Sequence, residues 1–424
     1  MANNLGSNVT RKLARVFLDQ CEASRVLTKA VDTQLLNGKF NPSSGSTVDF
    51  KRPHDYNTIS TSGGDISSST KSDIIAGKAT GTVQNYLTVA TEWSNLEEAI
   101  QLDQLDEILA PMATRIVTDL ELALGAYMYK NCGLAYGSPG TAIDAWADVA
   151  GAGSFLHSIG VPRDKPWYYV MNPFVQQALA GVQSGLGSGS NSLVDNAWEK
   201  AKISSNLGGM DVMVSNALSS RTSTAASDRA GTITGTPTVT YVGAKDTMTQ
   251  TVGVTQFSAN AVIKAGDIVE ITGRYHLSLA TRQPIFDATG ARVKFRAVVT
   301  ADVTLGSSGE GNLVITGPAI YESGGQYNTC DSAITSGDVI TVLGSASAVY
   351  QPALFFHKQA FGCGTIKLPK LAATDTTGTT ADGFSIRVSK YSDGDKNKQM
   401  VRFDLLPAFA TFNPFYAGQG YGVA

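Results

Sequence analysis

The sequence predicts an α+β protein in which a small β-module interrupts a mixed host. Two observations predict this class. Apolar residues recur at three- and four-residue spacing in the first third of the chain, and six short strand-like segments are crowded between about 223 and 346. Helical and longer strand patterns flank this region on both sides, so the β-module is expected to be an insertion. With 424 residues the chain exceeds the usual size of one core, and two or three domains are expected.

The composition favours a folded protein that buries its outside against neighbours. Hydrophobic residues make up 42% of the chain, which excludes wholesale disorder. Charged residues make up only 16%, below the usual share of roughly 25%, although secreted β-proteins share this bias. The net charge is −3, and there is no basic patch of the kind that drives specific nucleic-acid binding.

The N-terminal residues and the cysteines favour a reducing compartment. The first twenty residues lack the apolar region of a signal peptide, and no apolar run reaches the length of roughly 18 residues that a membrane span needs. The four cysteines are scattered without a C-x-x-C pair, which predicts buried thiols. The sequence therefore predicts a protein made in a cytoplasm.

Residues 7–32 carry an amphipathic helical pattern, with Arg11, Lys12 and Arg15 among its polar residues. Two interpretations are open. The helix is either docked with a solvated basic face, or it is an arm that contacts an acidic surface on another subunit or on an assembly factor.

Residues 46–57 and 78–93 are predicted to be strands, and a polar Ser/Thr-rich stretch lies between them. Because such a stretch cannot bury enough apolar surface to order itself, a long hairpin with a mobile tip is expected. A projecting hairpin is poorly stable alone, so this one is expected to lie on a neighbour.

An acidic cluster follows the hairpin. Ser94 and Glu97 match a helix-capping box, Pro111 marks the start of a second helix or a kink in it, and helical spacing continues to Cys132. Acidic groups near helix N-termini are favourable, which explains part of the cluster. Five acids within eleven residues exceed that need, so a partner for the basic N-terminal helix is a second hypothesis; they are Glu97, Glu98, Asp103, Asp106 and Glu107.

Residues 134–222 mix the two element types. Residues 166–173 are expected to be a buried strand, and 174–181 a helix that Gly181 ends. The Gly/Ser tract 185–192 is expected to be a flexible loop and lacks the Lys-Ser/Thr of a phosphate-binding loop.

The composition changes to linker residues at 219–230, and strands are then predicted at 232–234, 238–242, 267–271, 292–299, 312–316 and 338–342. The segments AGDIVEITG (265–273) and SGDVITVLG (336–344) echo each other. Asp267 and Asp338 in them are interpreted as turn residues rather than as paired catalytic carboxylates. Long strands with a hairpin turn at 392–398 are expected after residue 347.

We find no sequence signature of an active site. The four histidines lie far apart, and none belongs to a nucleophile or metal-ligand motif. No catalytic, cofactor-binding or metal-binding residue is predicted, and the protein is expected not to be an enzyme.

The order of these parts resembles one family. The helical arm, the projecting hairpin, the long helix, the mixed body and the inserted β-module together resemble the tailed-phage capsid fold named for phage Hong Kong 97. Within that fold the chain resembles the podoviral P-twenty-two subtype, which carries a telokin-like inserted barrel. The local signatures are YVMNP (169–173), AGDIVEITG, RVKFRAVV (292–299) and the closing run 402–423.

The resemblance implies a domain division and a set of partners. The implied parts are an N-terminal arm (1–40), an extended E-loop (41–93), a spine-helix region (94–133), a mixed body (134–222 and 347–385), an inserted barrel (223–346) and closing strands (386–424). It implies pentamers and hexamers of this chain in an icosahedral T=7-type shell around double-stranded DNA, which is held non-specifically. It further implies a scaffolding protein and a portal protein as partners, no membrane and no covalent crosslink, in a virion assembled in the cytoplasm of a bacterial host.

Within the insertion, Lys245 and Asp246 are implied to pair with charges across a local two-fold axis, and the alternative is an exposed turn. The sequence leaves two alternative functions open. An extracellular β-rich surface or binding protein would share the low charge, whereas nothing positive supports a hydrolase with a scattered site.

Overall fold

The computed structural model describes residues 25–36, 45–94, 105–184, 192–371, 375–380 and 383–423, with the backbone alone at 36, 105–110 and 192–193. Its α-helices are α1 (Leu27–Ala30), α2 (Leu105–Asn131), α3 (Trp146–Ile159), α4 (Pro173–Ser184), α5 (Ser192–Lys200) and α6 (Tyr241–Ala244). Two short 3₁₀ turns are Gln34–Leu36 and Pro414–Tyr416. No helix in the described ranges is long and apolar enough to cross a membrane.

The strands before the inserted module are β1 (Thr47–Lys51), β2 (Lys78–Val83), β3 (Leu87–Ser94), β4 (Leu134–Tyr136), β5 (Trp167–Met171), β6 (Asn206–Leu207), β7 (Met210–Val214) and β8 (Arg221–Thr222). Those of the module are β9 (Ala230–Thr234), β10 (Thr249–Thr255), β11 (Val262–Ile263), β12 (Ile268–Tyr275), β13 (Lys294–Val299), β14 (Val303–Thr304), β15 (Gly311–Thr316) and β16 (Val339–Val342). The last strands are β17 (Val349–Tyr350), β18 (Ala353–His357), β19 (Phe361–Thr365), β20 (Thr376–Thr379), β21 (Ser385–Asp393), β22 (Lys398–Leu405), β23 (Pro407–Thr411) and β24 (Ala417–Gly420).

The chain divides into two compact units, and each is discontinuous in sequence. The first comprises 1–48, 81–125 and 361–410, and the second comprises 49–80, 126–360 and 411–424. Several strands and helix α2 run through a boundary between these ranges.

The first unit contains an antiparallel sheet in the order β20-β21-β22-β3. Strands β21 and β22 form the long hairpin that the sequence predicts, with its turn at 394–397. Val388, Val401 and Phe403 are buried on this sheet. A fully buried side chain of this size contributes roughly 1.5–3 kcal/mol, so this apolar face stabilises the unit.

Helix α2 presents a buried stripe at helical spacing. Ile116, Val117, Leu120 and Leu124 are at most 1% exposed. The sequence predicted Pro111 to be either the start of this helix or a kink in it. Pro111 is not the start, because it lies inside the helix Leu105–Asn131. Inside a helix a proline removes one hydrogen bond of the ladder, and its ring crowds the carbonyl group four residues earlier.

The N-terminal helical prediction can be tested only at its end. Helix α1 ends at Ala30, and Asp32 then forms a parallel bridge with Gly362. The chain is therefore already extended where the predicted helix 7–32 was expected to end, and the rest of that prediction lies outside the described residues.

The second unit is built on a mixed sheet in the order β4-β24-β18-β5-β7-β6. The expected strand 166–173 is its buried strand β5, and Tyr169 packs in a core with Leu156 and Phe355. Helix α4 runs to Ser184, three residues past the predicted end at Gly181. Gly181 does not adopt the left-handed backbone conformation with which a glycine commonly ends a helix, so the helix continues past it.

The inserted module is a closed barrel in the order β10-β15-β13-β12-β16-β9. The two echoing segments are neighbours in it, since Val269 pairs with Val342 and Ile271 pairs with Ile340. Both segments turn on Gly-Asp and both point alternate aliphatic side chains inward, so their similarity follows from equivalent places in the barrel.

One of the strands predicted for the barrel is wrong, and one strand of the observed barrel was not predicted. Residues 238–242 do not form a strand. Val239 makes only an isolated bridge with Ile320, and helix α6 begins at Tyr241, where the Thr240 hydroxyl caps it by accepting a hydrogen bond from Gly243 N. The missing strand is β10, in which Gln250, Val252 and Val254 are buried at alternate positions. The α+β class with a small closed barrel is observed directly.

Candidate assembly surface

The segment 52–77 joins β1 to β2 and contains no helix or strand. We call it the projecting loop. Its outgoing arm is 52–57, its returning arm is 72–77, and its tip, 58–71, is almost entirely exposed. The first predicted strand, 46–57, ends at Lys51 because Pro53 cannot donate to a strand ladder.

Hydrogen bonds join the two arms along their length. They run from Arg52 N to Gly77 O at 2.9 Å, from His54 Nδ1 to Ile75 O at 3.0 Å, and from Asn57 N to Ser72 Oγ at 2.8 Å. Arg52 Nε also donates to Lys78 O at 3.0 Å, where β2 begins. The arms therefore form a paired stem without strand geometry, and the tip extends from its end.

The outgoing arm binds to the inserted module of the same chain. The Arg282 guanidinium donates to the carboxylate of Asp55, and the backbone N of Asp55 donates to the Tyr327 hydroxyl at 3.2 Å. Farther out, Asn57 Nδ2 donates to Gly324 O at 2.8 Å. Sequence reasoning missed Arg282 and Tyr327, because they follow Asp55 by more than 220 residues and belong to no motif.

The returning arm is held by the same module. The Gln326 side-chain amide donates to Asp73 O at 2.8 Å. Directly after the arm, Lys78 N at the start of β2 donates to Asp246 Oδ1 at 3.2 Å. The module thus contacts both arms, and the two loops around residues 245 and 325 supply most of the partners.

Gly77 allows the closest approach between this arm and the module. A Cβ there would lie 2.8 Å from Lys245 O and 3.2 Å from Tyr241 Oη. The distance to a backbone oxygen is below normal contact, so any larger residue must displace the arm.

A cavity of about 240 Å³ opens at the base of the stem, and Arg52, Tyr241, Arg282 and Tyr327 contribute to its wall. The two tyrosine rings stack with centroids 3.7 Å apart and planes 8° from parallel. Burial lowers the pKa of Arg52 to about 10, and nearby Tyr241 and Asp246 oppose that shift. The Arg52 guanidinium donates to carbonyl oxygens and Arg282 to a carboxylate, so these groups hold the stem in place.

The structure places the predicted pair Lys245 and Asp246 directly after helix α6. Lys245 Nζ lies 3.2 Å from Asp246 Oδ2, and both side chains are partly exposed. The hydrogen bond from Lys245 lowers the pKa of the Asp246 carboxyl below its usual value. Their pairing with charges of another copy stays a prediction.

The other predicted interface residues are described only in part or not at all. Residues outside the described ranges are Arg11, Lys12, Arg15, Glu97, Glu98 and Asp103. Asp106 and Glu107 lie in the first turn of α2, where only the backbone is described.

A buried ion pair fastens the inserted module where the chain enters it. Arg221 Nη1 lies 2.6 Å from Asp267 Oδ1, and both side chains are at most 1% exposed. Asp267 also accepts a hydrogen bond from Thr224 N, and Arg221 Nε donates to the Tyr421 hydroxyl. The entering and leaving strands pair beside it, with Arg221 opposite Tyr350. Arg221 is one of two arginines in a Ser/Thr-rich linker, and this was a signal for the contact that sequence reasoning did not use.

Three buried side chains have strongly shifted pKa values: His276, Cys132 and Cys330. His276 is buried between the rings of Phe155 and Phe295, and burial lowers its pKa to about 3. Burial also raises the thiol pKa of Cys132 to about 12 and that of Cys330 to about 11. In the described part of the chain no group of three or more His, Cys, Asp or Glu residues could hold a metal ion.

Comparison with known proteins gives one family over nearly the whole chain. The family model described as "P22 coat protein - gene protein 5" matches residues 1–422. The chain is 43% identical over 425 residues to the major capsid protein of Acyrthosiphon pisum secondary endosymbiont phage 1, covering 100% of both chains.

Two of the solved structures that resemble this chain come from phages. A chain of Mycobacterium phage Che8 is 12% identical, with 93% of this chain and 90% of that chain covered and a TM-score of 0.48. A chain from the capsid of Ralstonia phage GP4 is 9% identical, with 93% and 88% covered and a TM-score of 0.42. The family assignment rests on the family model and on the 43% identical capsid protein, and by both criteria the chain belongs to the P22 coat protein family.

Proposed function

We propose that copies of this chain form pentamers and hexamers that close into an icosahedral T=7-type shell around double-stranded DNA. The chain is a phage capsid protein and not an enzyme, and capsid proteins assemble into shells of themselves. The match of the coat-protein family model to residues 1–422 carries this proposal. Membership in this family excludes the extracellular surface protein and the hydrolase as functions.

The partners follow from the same proposal. A scaffolding protein would guide the copies into a closed shell, a portal protein would occupy one vertex, and assembly would take place in the bacterial cytoplasm. With a net charge of −3 the chain has no overall attraction to DNA, which suits a container that holds DNA without specific binding.

The domain division also belongs to the proposal. The closed barrel between β9 and β16 supports an inserted domain at 223–346, since the strands β8 and β17 that pair at its entry and exit lie at these limits. The arm (1–40), the E-loop (41–93), the spine-helix region (94–133), the body (134–222 and 347–385) and the closing strands (386–424) complete the division.

We propose that opposite charges pair between copies at two places. The first joins Arg11, Lys12 and Arg15 to the acidic cluster of residues 97–107. The second involves Lys245 and Asp246, which remain partly exposed although they contact each other. Exposed pairs contribute only about 0–1 kcal/mol each, so such contacts hold a shell through their repetition.

Co-expression of the chain with the scaffolding protein of its phage tests the proposal. Sedimentation should recover the wild-type chain in fast-sedimenting particles. The double variant Arg11→Glu, Arg15→Glu should remain a folded monomer with an unchanged circular dichroism spectrum. Normal particles from this variant would refute the charge pairing alone, whereas a wild-type chain that stays monomeric would refute the shell.

A further inference from the structure

We propose that the inserted barrel is a clamp that fixes the direction in which the projecting loop leaves its own subunit, so that the tip meets a second copy of this chain. This inference rests on the proposed function. It assigns to the inserted module a positioning role in assembly that is separate from any contact of its own with neighbouring subunits.

The first argument is that the module holds both arms of the stem. Asp55 on the outgoing arm binds Arg282 and Tyr327, and Asp73 on the returning arm accepts from Gln326. A contact to one arm alone would let the stem swing about the other. Contacts to both arms restrict that swing.

The second argument is the kind of contact. The hydrogen bond between Arg282 and Asp55 joins two charged groups, which makes it stronger and more directional than a neutral one. Arg282 is itself oriented by a second bond, from its Nη1 to Asn328 O at 2.8 Å. Tyr327 is 6% exposed and stacks on Tyr241, so its hydroxyl is held at a fixed position.

The third argument is that the contacts stop where the tip begins. Beyond Asn57 and Ser72 the tip's hydrogen bonds are local, such as Ser67 N to Asp65 Oδ1 at 2.9 Å and Lys71 Nζ to Ile66 O at 3.1 Å. Ile66 in the tip is 44% exposed, and Ile74 on the returning arm is 77% exposed. In a chain that builds shells from its own copies, a loop tip held only by its own local hydrogen bonds is available to contact another copy.

Two variants that weaken the clamp from different sides test this inference. Asp55→Asn removes the charge that Arg282 binds, and Tyr327→Phe removes only the hydroxyl that accepts the hydrogen bond from Asp55 N. Asp55 lies at the surface and the phenylalanine keeps the stacked ring, so both variants should fold. The matched control is Arg292→Met, which removes an ion pair of the same module with Asp331 that does not involve the loop.

Hydrogen exchange and shell formation with the scaffolding protein are the measurements. In the monomer, the hydrogen-bonded amides of residues 55 and 57 should exchange roughly three- to tenfold faster in both variants, as expected for the loss of one hydrogen bond, while those of β12 and β15 are unchanged. Shell formation should slow by a similar factor or yield misformed particles, and the control should match the wild type in both assays.

Wild-type exchange and wild-type assembly in both variants would overturn the clamp. Faster exchange in the arms with normal assembly would also overturn it, because the loop direction would then not matter for the shell. A wild-type chain that forms no shell would instead refute the proposed function, so the two failures are distinguishable.

Discussion

The buried carboxylate of Glu121 accepts hydrogen bonds from both the backbone N–H and the side-chain hydroxyl of Thr28, at 3.0 and 2.7 Å. A third bond comes from Leu27 N at 2.6 Å. These two amides begin helix α1 and have no partner within that helix. A carboxylate from the middle of α2 therefore caps the short N-terminal helix.

We expect Glu121→Gln to destabilise the first unit by about 1–3 kcal/mol. The amide NH₂ of glutamine would face donors and leave a buried N–H without an acceptor. Urea denaturation followed by circular dichroism measures the change. The matched control is Asp119→Asn on the same helix, which removes the exposed pair with Arg115 and should cost less than about 0.5 kcal/mol. Equal effects of the two variants would contradict the capping role.

We expect Asp267→Asn to cost about 3–5 kcal/mol, because it leaves the Arg221 guanidinium buried without its counter-charge. Calorimetric unfolding measures this loss. Lys264→Met removes the exposed pair with Asp302 near the same turn and should change stability by less than about 1 kcal/mol. If Asp267→Asn proved as mild as this control, the buried pair would not be what fastens the module.

We expect the free energy of unfolding to decrease as the pH is lowered, because His276 is buried as a neutral ring. Burial, aided by the charge of Arg296, lowers its pKa from 6.5 to about 3, so the folded state keeps the ring neutral. In the unfolded state the ring binds a proton below about pH 6.5. The stability that the buried neutral ring contributes is therefore fully present above that pH and is lost progressively as the pH falls towards 3. The loss is about 1.4 kcal/mol per pH unit at most.

The window from pH 6.5 to 5 isolates this effect from most carboxylates. Chemical denaturation at several pH values in this window should show the slope in the wild type and a smaller one in His276→Gln, whose side-chain oxygen can still accept from Arg296 N. Parallel slopes for the two proteins would show that His276 does not titrate as its burial requires.

The described thiols should resist modification in the native chain. Cys132, Cys330 and Cys363 are buried, and burial raises the pKa of each thiol above its ordinary value. Since the thiolate is the reactive form, Ellman's reagent should not label the Cys21→Ser chain until urea unfolds it. Rapid labelling of the folded chain would contradict the buried positions.

The barrel shows how far a single sequence predicts this fold. Five of its strands were predicted, because Gly-Asp and Gly-Asn turns separate segments of alternating apolar residues. Two of these segments pair in the barrel, with Ile271 opposite Ile340. Residues 238–242 have strand propensity, yet the cap at Thr240 favours a helical turn there. Strand β10 was not predicted, because a polar residue, Gln250, occupies one of its buried positions and so interrupts the apolar alternation. The Gln250 side chain is satisfied there by donating to Pro237 O.

The stem contacts could not be predicted from the sequence. Asp55 and Arg282 are 227 positions apart, and neither belongs to a local pattern. The sequence did predict a long hairpin with a polar tip, since composition alone decides that residues 58–71 cannot bury themselves. The part of the chain that binds the stem is decided by tertiary structure, which a pattern of local residue spacing does not predict.

Electron microscopy of the chain co-expressed with its scaffolding protein tests the central claim most directly. The account predicts closed shells of uniform diameter, in which icosahedral averaging resolves pentamers and hexamers of this chain. A folded chain that remains monomeric at high concentration, or that forms only open sheets with the scaffolding protein present, would contradict it.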